Sequence, residues 1–306
     1  MTDFTLRQLR TILAVHRTGR IVTASKELGL TQPAVSLQLR DAEAIAGTTL
    51  FDRTSDGMRP TAAGFAVIEA ALSIEDRLRE LADEVTAIAG GKKGRLRLGV
   101  VSTAKYFAPS LMAAFMKEHP EIEMTLWVGN RAETIESLRD HKVDVALMGR
   151  PPREVPVRAA FFGEHPFVII APASHPLAGQ KNIAKERVAQ ESFLVREPGS
   201  GTRMALEIVL SELPGRLDNP GIEMGSNETI KQAVMAGLGI ALISAHTIAL
   251  ELELNRLAVL DVEGMPIRRQ WFSVSRAERT LTPVMVAFEE FLQEKGANFL
   301  PQIAGT

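Results

Sequence analysis

Two sets of residues have types and spacings suited to chemistry, and in both the chemistry is recognition rather than bond making. The first is the N-terminal part of a helix expected over Gln32 to Ile45, the part that a helix-turn-helix presents to base edges. A glutamine amide offers a donor and an acceptor side by side, the arrangement that pairs with an adenine edge, and hydroxyls donate to bases or phosphates. The second set lies in four loops, Ser102-Thr103-Ala104-Lys105, Gly129-Asn130-Arg131, Glu197 to Arg203 (with Gly199, Ser200, Gly201 and Thr202), and Gly225-Ser226-Asn227. Lys105, Arg131, Arg150 and Arg203 accompany these loops. Backbone N–H groups at helix starts, joined by lysine or arginine, favour a carboxylate or phosphate. Thr31, Asn130, Ser226 and Asn227 read equally well as helix caps, Arg131 and Arg203 as solvated cations, and Arg150 as hinge structure.

Other chemistries find little support. Cysteine is absent from the 306 residues, which removes disulfides, thiolate metal sites and cysteine nucleophiles. Gly199-Ser200-Gly201 lacks the third glycine of a dinucleotide fingerprint, and Gly90-Gly91-Lys92-Lys93-Gly94 lacks P-loop spacing. Neither His-Glu-x-x-His nor Gly-x-Ser-x-Gly occurs. His119, His165 and His175 each precede a proline, which places them in loops rather than in a metal cluster. No catalytic residue, cofactor or metal is expected. The uncharged stretch from Gln232 to Leu250 is interrupted by Gly237 and Gly239 and reads as helix end, turn and buried strand, not as a membrane span. Together with charges in the first eleven residues, this predicts a cytoplasmic protein.

The elements that must position these residues follow from local pattern. Ile21 to Leu28 reads as a short helix, Gly29-Leu30 as a tight turn and Gln32 to Ile45 as a second helix with Pro33 near its start. Small Ala24 and Ser25 let the helices cross closely, and Leu28, Val35 and Leu39 supply a shared core. This is a helix-turn-helix pattern, whose second helix presents its N-terminal residues to the major groove. Residues 1–63 carry eight basic and six acidic residues, although the whole chain is at −2, so charge points to nucleic acid only faintly. From Val67 onward, Val67, Ala71, Ile74, Leu78, Leu81, Val85 and Ile88 alternate in steps of four and three, a heptad seam that calls for a partner helix. A surface helix packed on its own domain is the alternative.

After a polar connector through Gly94 the pattern becomes α/β. Strands are expected at 96–101, 122–128, 143–148, 167–171, 193–196, 222–225, 240–244, 257–262 and 268–275, in a mostly parallel sheet. Helices are expected at 109–118, 131–140, 202–213, 228–236 and 283–295. Thr282 is the expected N-cap of the last helix and Gly296 lies just past its end.

The run Ala24-Ser25-Lys26-Glu27-Leu28-Gly29-Leu30-Thr31-Gln32-Pro33-Ala34-Val35-Ser36 resembles the DNA-binding region of the LysR-type transcriptional regulators. So do Leu50-Phe51-Asp52-Arg53 and Pro60-Thr61-Ala62-Ala63-Gly64, which match the family's wing and the start of its linker helix. The resemblance implies a winged helix-turn-helix over 1–63, a linker and dimerisation helix with hinge over 64–94, and an effector-binding domain over 95–306. That domain would have two α/β subdomains of periplasmic-binding-protein type, about 95–164 with 268–306, and about 165–267. It implies DNA contact by Thr31, Gln32, Pro33, Ser36 and Gln38, and phosphate contact by Arg53. Leu37 stands where many members place a basic residue, so one expected contact is absent or replaced by apolar contact with a thymine methyl. Dimerisation would use Val67, Ile74, Leu78, Leu81 and Val85. Effector contact would fall to Ser102, Thr103, Lys105, Asn130, Arg131, Arg150, Gly199, Thr202, Arg203 and Asn227.

The further combination of Ser102 to Pro109, Gly129-Asn130-Arg131 and Met148-Gly149-Arg150-Pro151-Pro152 is similar to the branch of the family that regulates Calvin-cycle (RuBisCO) operons. That likeness implies an activator responding to phosphorylated metabolites or nucleotide cofactors, with promoter DNA and RNA polymerase as partners and a homodimer or homotetramer as the working form. A LysR-type regulator of another operon sensing a carboxylate, a cytoplasmic solute-binding protein and an α/β enzyme are the competing readings.

Overall fold

A computed structural model describes residues 4–88, 94–211 and 221–302. The chain divides into two compact units, Met1–Val85 and Thr86–Thr306.

The first unit begins with α1 (Leu6–Thr18), α2 (Ile21–Leu28) and α3 (Gln32–Ala46). They are followed by the hairpin β1 (Phe51–Thr54) and β2 (Gly57–Pro60), and by α4 (Ala62–Ile88). Thr5 and Gln8 close a reciprocal capping box at the start of α1. Gly29 ends α2 in the left-handed region at φ 63°, the conformation the tight turn demands. Ile12, Val15, Ala24, Val35, Leu39, Leu50 and Ile68 form one apolar core shared by all four helices. The Pro60-to-Gly64 run acquires a mechanical reason. Thr61 Oγ1 accepts from Gly64 N–H at 3.0 Å, and a Cβ on Gly64 would lie 2.0 Å from the Leu50 carbonyl oxygen, so only glycine lets α4 start there.

In the second unit, β3 (Gly94–Val101), β4 (Ile122–Gly129), β5 (Val145–Met148), β6 (Val157–Pro172), β7 (Leu194–Arg196), β8 (Ile222–Met224), β9 (Ala241–Ser244), β10 (Leu257–Val259) and β11 (Ile267–Arg276) alternate with helices. These are α5 (Ala108–Glu118), α6 (Arg131–Arg139), α7 (Lys185–Val188), α8 (Gly201–Ser211), α9 (Asn227–Met235), α10 (Ala249–Glu253) and α11 (Pro283–Lys295). Among the described residues, the main sheet runs β10-β6-β11-β5-β3-β4, with β9 on β6, and β7-β8 form a separate pair.

The expectation of a mostly parallel sheet needs correction. β3 pairs in parallel with β4 and β5, and β7 with β8, but β6 and β11 are antiparallel to each other and to their remaining neighbours. The sequence pattern marks only 167–171 of β6; Gly163 and Pro166, residue types poorly suited to strand interiors, lie just before it. In the fold the strand extends back to Val157 and pairs with β11 from Val157 to Phe167, with a bulge between Trp271 and Phe272. His165, expected in a loop, therefore sits inside a strand.

These two long strands carry the chain across two lobes, each with apolar layers on both sheet faces. In one lobe α5 and α11 cover Leu96, Leu98, Val100 and Trp271, while α6 covers Val143, Ala146 and Val274. In the other, Phe167, Ile169 and Ala171 pack against α8, and Val168 and Ile170 against α9. Burial on both faces explains why 167–171 is an unbroken apolar run. Both ends of α11 fall where expected: Thr282 caps its start and Gly296, with right-handed φ −55°, follows its last residue. There the glycine serves packing, since a Cβ would lie 3.0 Å from the Phe162 ring.

Candidate functional sites

In the first unit, α2, its glycine turn and α3 form the helix-turn-helix. Val35, Leu39 and Ala42 bury one stripe of α3. The opposite stripe is polar and open. Gln32 and Pro33 are exposed, Ser36 is half-buried, and Leu37 is exposed at 50%. Thr31 adopts the cap role, its Oγ1 accepting from Ala34 N–H at 3.4 Å. Gln38 departs from expectation, because it is half-buried and its Oε1 accepts the hydroxyl of buried Thr11, which uses its acceptor inside the domain. Arg40, one turn beyond Ser36 and exposed, continues the open stripe. Its i+4 spacing from Ser36 was the signal in the sequence. Arg53 is exposed on β1 opposite Met58 of β2, a cation on the hairpin.

Along α4 the heptad seam splits in two. Ala71 is buried, and half-buried Val67 packs on the core of its own unit beside Ile68. Further along, Ile74, Leu81 and Val85 are 40%, 52% and 57% exposed, and Leu78 is half-buried. The early positions hold the domain together; the later ones remain as an apolar row on the surface of the chain.

The second unit contains a cavity of about 610 Å³ at the carboxyl ends of β3 and β5 and the starts of α6 and α8. Ser102, Thr103, Arg131, Arg150 and Thr202, all singled out from sequence, line it. The other candidates take positioning roles. Asn130 and Glu133 form the capping box of α6. Gly199, at φ 84°, accepts Ala132 N–H at 3.1 Å and joins the lobes. Arg203 is held by Glu207 at 2.9 Å, Glu223 at 2.7 Å and the Arg196 carbonyl at 3.0 Å, so its charge is used within one lobe.

Lys105 and Asn227 also lie off the cavity lining. Lys105 Nζ meets Glu228 at 2.9 Å, and Tyr106 donates its hydroxyl to the same carboxylate at 2.6 Å, both across the lobes. Burial alone would raise the Glu228 carboxyl, but the hydrogen bonds from Tyr106 and Lys105 outweigh it and bring it down to about 2. Asn227 Oδ1 accepts from Arg196, a residue the sequence did not flag. Arg196 is 2% exposed, pairs with Glu197 at 2.7 Å and donates to Ser102 Oγ at 3.3 Å, so it too ties the lobes. Nothing local distinguishes it from any other strand-end arginine.

Glu228→Gln tests this latch. A half-exposed ion pair is worth up to about 1 kcal/mol, roughly fivefold in an opening equilibrium. The Ala132 amide is therefore expected to exchange with solvent about fivefold faster; an unchanged rate would show that the pair holds nothing closed. Since the carboxyl is depressed, the latch is intact above the ordinary carboxylate range and weakens only as pH falls towards about 2.

The cavity is also lined by Gly149, Glu164, His165, Phe167, Arg268, Arg269, Gln270 and Phe272, none of them foreseen. His165 is 3% exposed and its ring lies 3.9 Å from that of Trp271 in a stack. Burial, reinforced by His246 and Arg269, keeps it neutral, well below the usual histidine range. Neither of its ring nitrogens has a hydrogen-bond partner among the described residues. Among the described residues no group of side chains could hold a metal ion, and no helix is long and apolar enough to cross a membrane.

A helix-turn-helix with an open polar stripe, joined in one chain to a two-lobed module with an arginine-lined cavity, defines a ligand-responsive DNA-binding regulator. Residues 6–65 match the bacterial regulatory helix-turn-helix model of the lysR family, and residues 89–297 match the LysR substrate binding domain. The chain belongs to the LysR family of transcriptional regulators; it is a DNA-binding regulator, not an enzyme. It is 60% identical over 304 residues to the HTH-type transcriptional regulator CbbR of Rhizobium meliloti, covering 99% of this chain and 97% of that protein. It is 46% identical to the RuBisCO operon transcriptional regulator of Allochromatium vinosum, over 95% of this chain and 96% of that one. The regulatory domain of Synechocystis CcmR, solved in complex with 2-PG, matches with a TM-score of 0.62 and 35% identity, covering 66% of this chain and 97% of that domain.

Proposed function

We propose that this protein activates carbon-fixation genes in response to a small anionic, phosphorylated metabolite bound in the second unit. The carrying observation is the arginine-lined cavity, in a chain whose relatives include named regulators of RuBisCO operons. The binding of 2-PG, a phosphorylated metabolite, by the related CcmR domain supports the same chemistry. Residues 1–63 read promoter DNA, 64–94 link and dimerise, and 95–306 sense the effector through subdomains of about 95–164 with 268–306 and about 165–267. Gln32 and Ser36 read base edges, Pro33 shapes the start of the helix, Thr31 caps it, and Arg53 meets phosphate. Gln38 contributes through its amide nitrogen. Ile74, Leu78, Leu81 and Val85, with Val67 at their root, bring two copies together in the cytoplasm, and RNA polymerase is the partner at the promoter.

A gel-shift assay on the DNA upstream of a carbon-fixation operon, with and without phosphorylated metabolites, tests this reading. The protein shifts that DNA, and the mobility or affinity changes with the effector. No shift at low salt would sink it. Within the same assay, Gln32→Ala costs about 1–3 kcal/mol on the specific site and relaxes sequence choice, whereas Arg53→Ala weakens all DNA alike. Equal losses on specific and random DNA for Gln32→Ala would remove that residue from base readout.

A further inference from the structure

In the lobe covered by α5, α6 and α11, one edge of the sheet is formed by β6. Residues 157–164 pair there with β11 alone, since β9 and β10 meet β6 only from Phe167 onwards. Hydrogen bonds at either end of the stretch show which way its backbone points. The Pro156 carbonyl accepts from Ala277 N–H at 3.0 Å, towards β11, whereas the Phe161 carbonyl accepts from the Gln293 side chain at 2.8 Å, towards α11. Alternation along the strand therefore turns the N–H and C=O of Ala159 and the N–H of Phe161 away from β11. On that side they have no backbone partner among the described residues, and both residues are exposed.

An open edge is a template for pairing with another chain, and proteins guard it with charge or proline. Pro156 stands before this stretch, but the one charge within 157–161 is turned away. Arg158 gives its guanidinium to the carbonyls of Arg276 and Arg279 in its own chain. Val157, Ala159, Ala160 and Phe161 are apolar.

The ground beside the edge is acidic. A surface groove of about 790 Å³ runs between β6 and α11, with Phe161, Leu281 and Val286 as its apolar part and Glu289, Glu290 and Glu294 as its charged part. None of these three carboxylates is ion-paired among the described residues, and Lys295, the cation of the same helix, is held by Glu118 at 2.8 Å. Burial raises the Glu289 carboxyl although the charge of Arg158 opposes the rise. A cation arriving from outside meets acids that are not already neutralised.

That charge selects the occupant. Two copies paired edge to edge through β6 would be related by a two-fold axis, which brings both α11 ridges and all their carboxylates to one seam. Like charges set opposite each other destabilise such a pairing. Duplex DNA is repelled by the same carboxylates. A basic polypeptide is attracted: its main chain extends the ladder, its lysines or arginines meet the glutamates, and an apolar side chain between them covers Phe161 and Val286.

We propose that the outer edge of β6 at Val157–Phe161, with the acidic face of α11, is a docking surface for another protein, which adds an extended basic segment as a further strand. The groove shares no lining residue with the arginine-lined cavity, so it is a separate site.

Selection from a displayed library of random octapeptides on the full-length protein tests this. Peptides enriched on the unaltered protein and depleted on Ala159→Pro carry two or more lysines or arginines alternating with apolar residues. Ala159→Pro removes only an outward N–H, which an edge strand tolerates; thermal unfolding is recorded for it. A second variant combining Glu289→Gln, Glu290→Gln and Glu294→Gln leaves the backbone unchanged and serves for the depletion if Ala159→Pro does not fold. By fluorescence anisotropy an enriched peptide binds each folded variant at least tenfold more weakly than the wild type, and amide exchange at Ala159 and Phe161 slows in the wild-type complex. The proposal is overturned if no peptide is enriched, if the enriched peptides lack basic residues, if one binds either folded variant as tightly as the wild type, or if those two amides are not slowed. It is overturned equally if Ala159→Pro converts the protein to a smaller species in sedimentation, since the edge would then belong to a contact between copies.

Discussion

Leu81→Asp abolishes tight operator binding. Leu81 is 52% exposed on α4, in the row formed with Ile74 and Val85, so an aspartate there leaves the core of its own unit untouched. A carboxylate in an apolar helix seam must be desolvated on pairing, which the seam cannot compensate. Once one recognition helix of a pair has bound, the second binds as if intramolecular, and linkage of this kind is worth about 10²–10⁴ in affinity. The variant is therefore expected to sediment as a monomer and to bind its operator at least a hundredfold more weakly, with unchanged thermal unfolding of the first unit. A dimeric variant with unaltered operator affinity would move the association surface elsewhere.

Asp144→Ala is the substitution expected to destabilise the second unit most. Asp144 and Arg279 have side chains 4% exposed and form an ion pair, while Arg97 adds its guanidinium and its backbone N–H, the latter at 2.7 Å. Burial acts to raise the Asp144 carboxyl, but the hydrogen bond from Arg97 and the charges of Arg279 and Arg97 outweigh it, and the group ends below the ordinary carboxylate range. Removing one member of a buried ion pair strands the others and costs about 3–5 kcal/mol. For a unit of this size that is a fall in Tm of roughly 6–20 °C. Because the carboxyl is depressed, its contribution is complete above the ordinary carboxylate range and disappears as pH falls below it. The gap between wild type and variant should therefore be constant from pH 8 to pH 5 and narrow under stronger acid. A loss below about 1 kcal/mol at pH 7 would show that the cluster is replaceable by water and neighbouring groups.

The parts of this protein legible in its sequence are those whose causes are local. Gly29, Pro33 and the Val35/Leu39 spacing define the recognition helix within about fifteen residues, because turn geometry and helical period act over that range. The caps at Thr31 and Thr282 follow for the same reason. The reading weakened where pairing overrode local preference. Residues 157–166 contain a glycine and a proline that argue against a strand, yet β11 supplies a complete ladder partner about 110 residues later. His165 moved from an expected loop to a buried stack for that reason.

The candidate cleft divides along the same line. From sequence alone, loops at strand ends with hydroxyls and cations are expected to meet an anion, and Ser102, Thr103, Arg131, Arg150 and Thr202 of those loops line the cavity. The sequence could not tell which cations remain free for a ligand. Lys105 is neutralised by Glu228, 123 positions away, and Arg203 by Glu223, while Arg269, unremarkable in the sequence, has no acidic partner among the described residues. Composition and period fix which residues are available, but the charge a site presents depends on which opposite charges the folded chain brings within a few ångströms, and that is settled only when distant segments pack together.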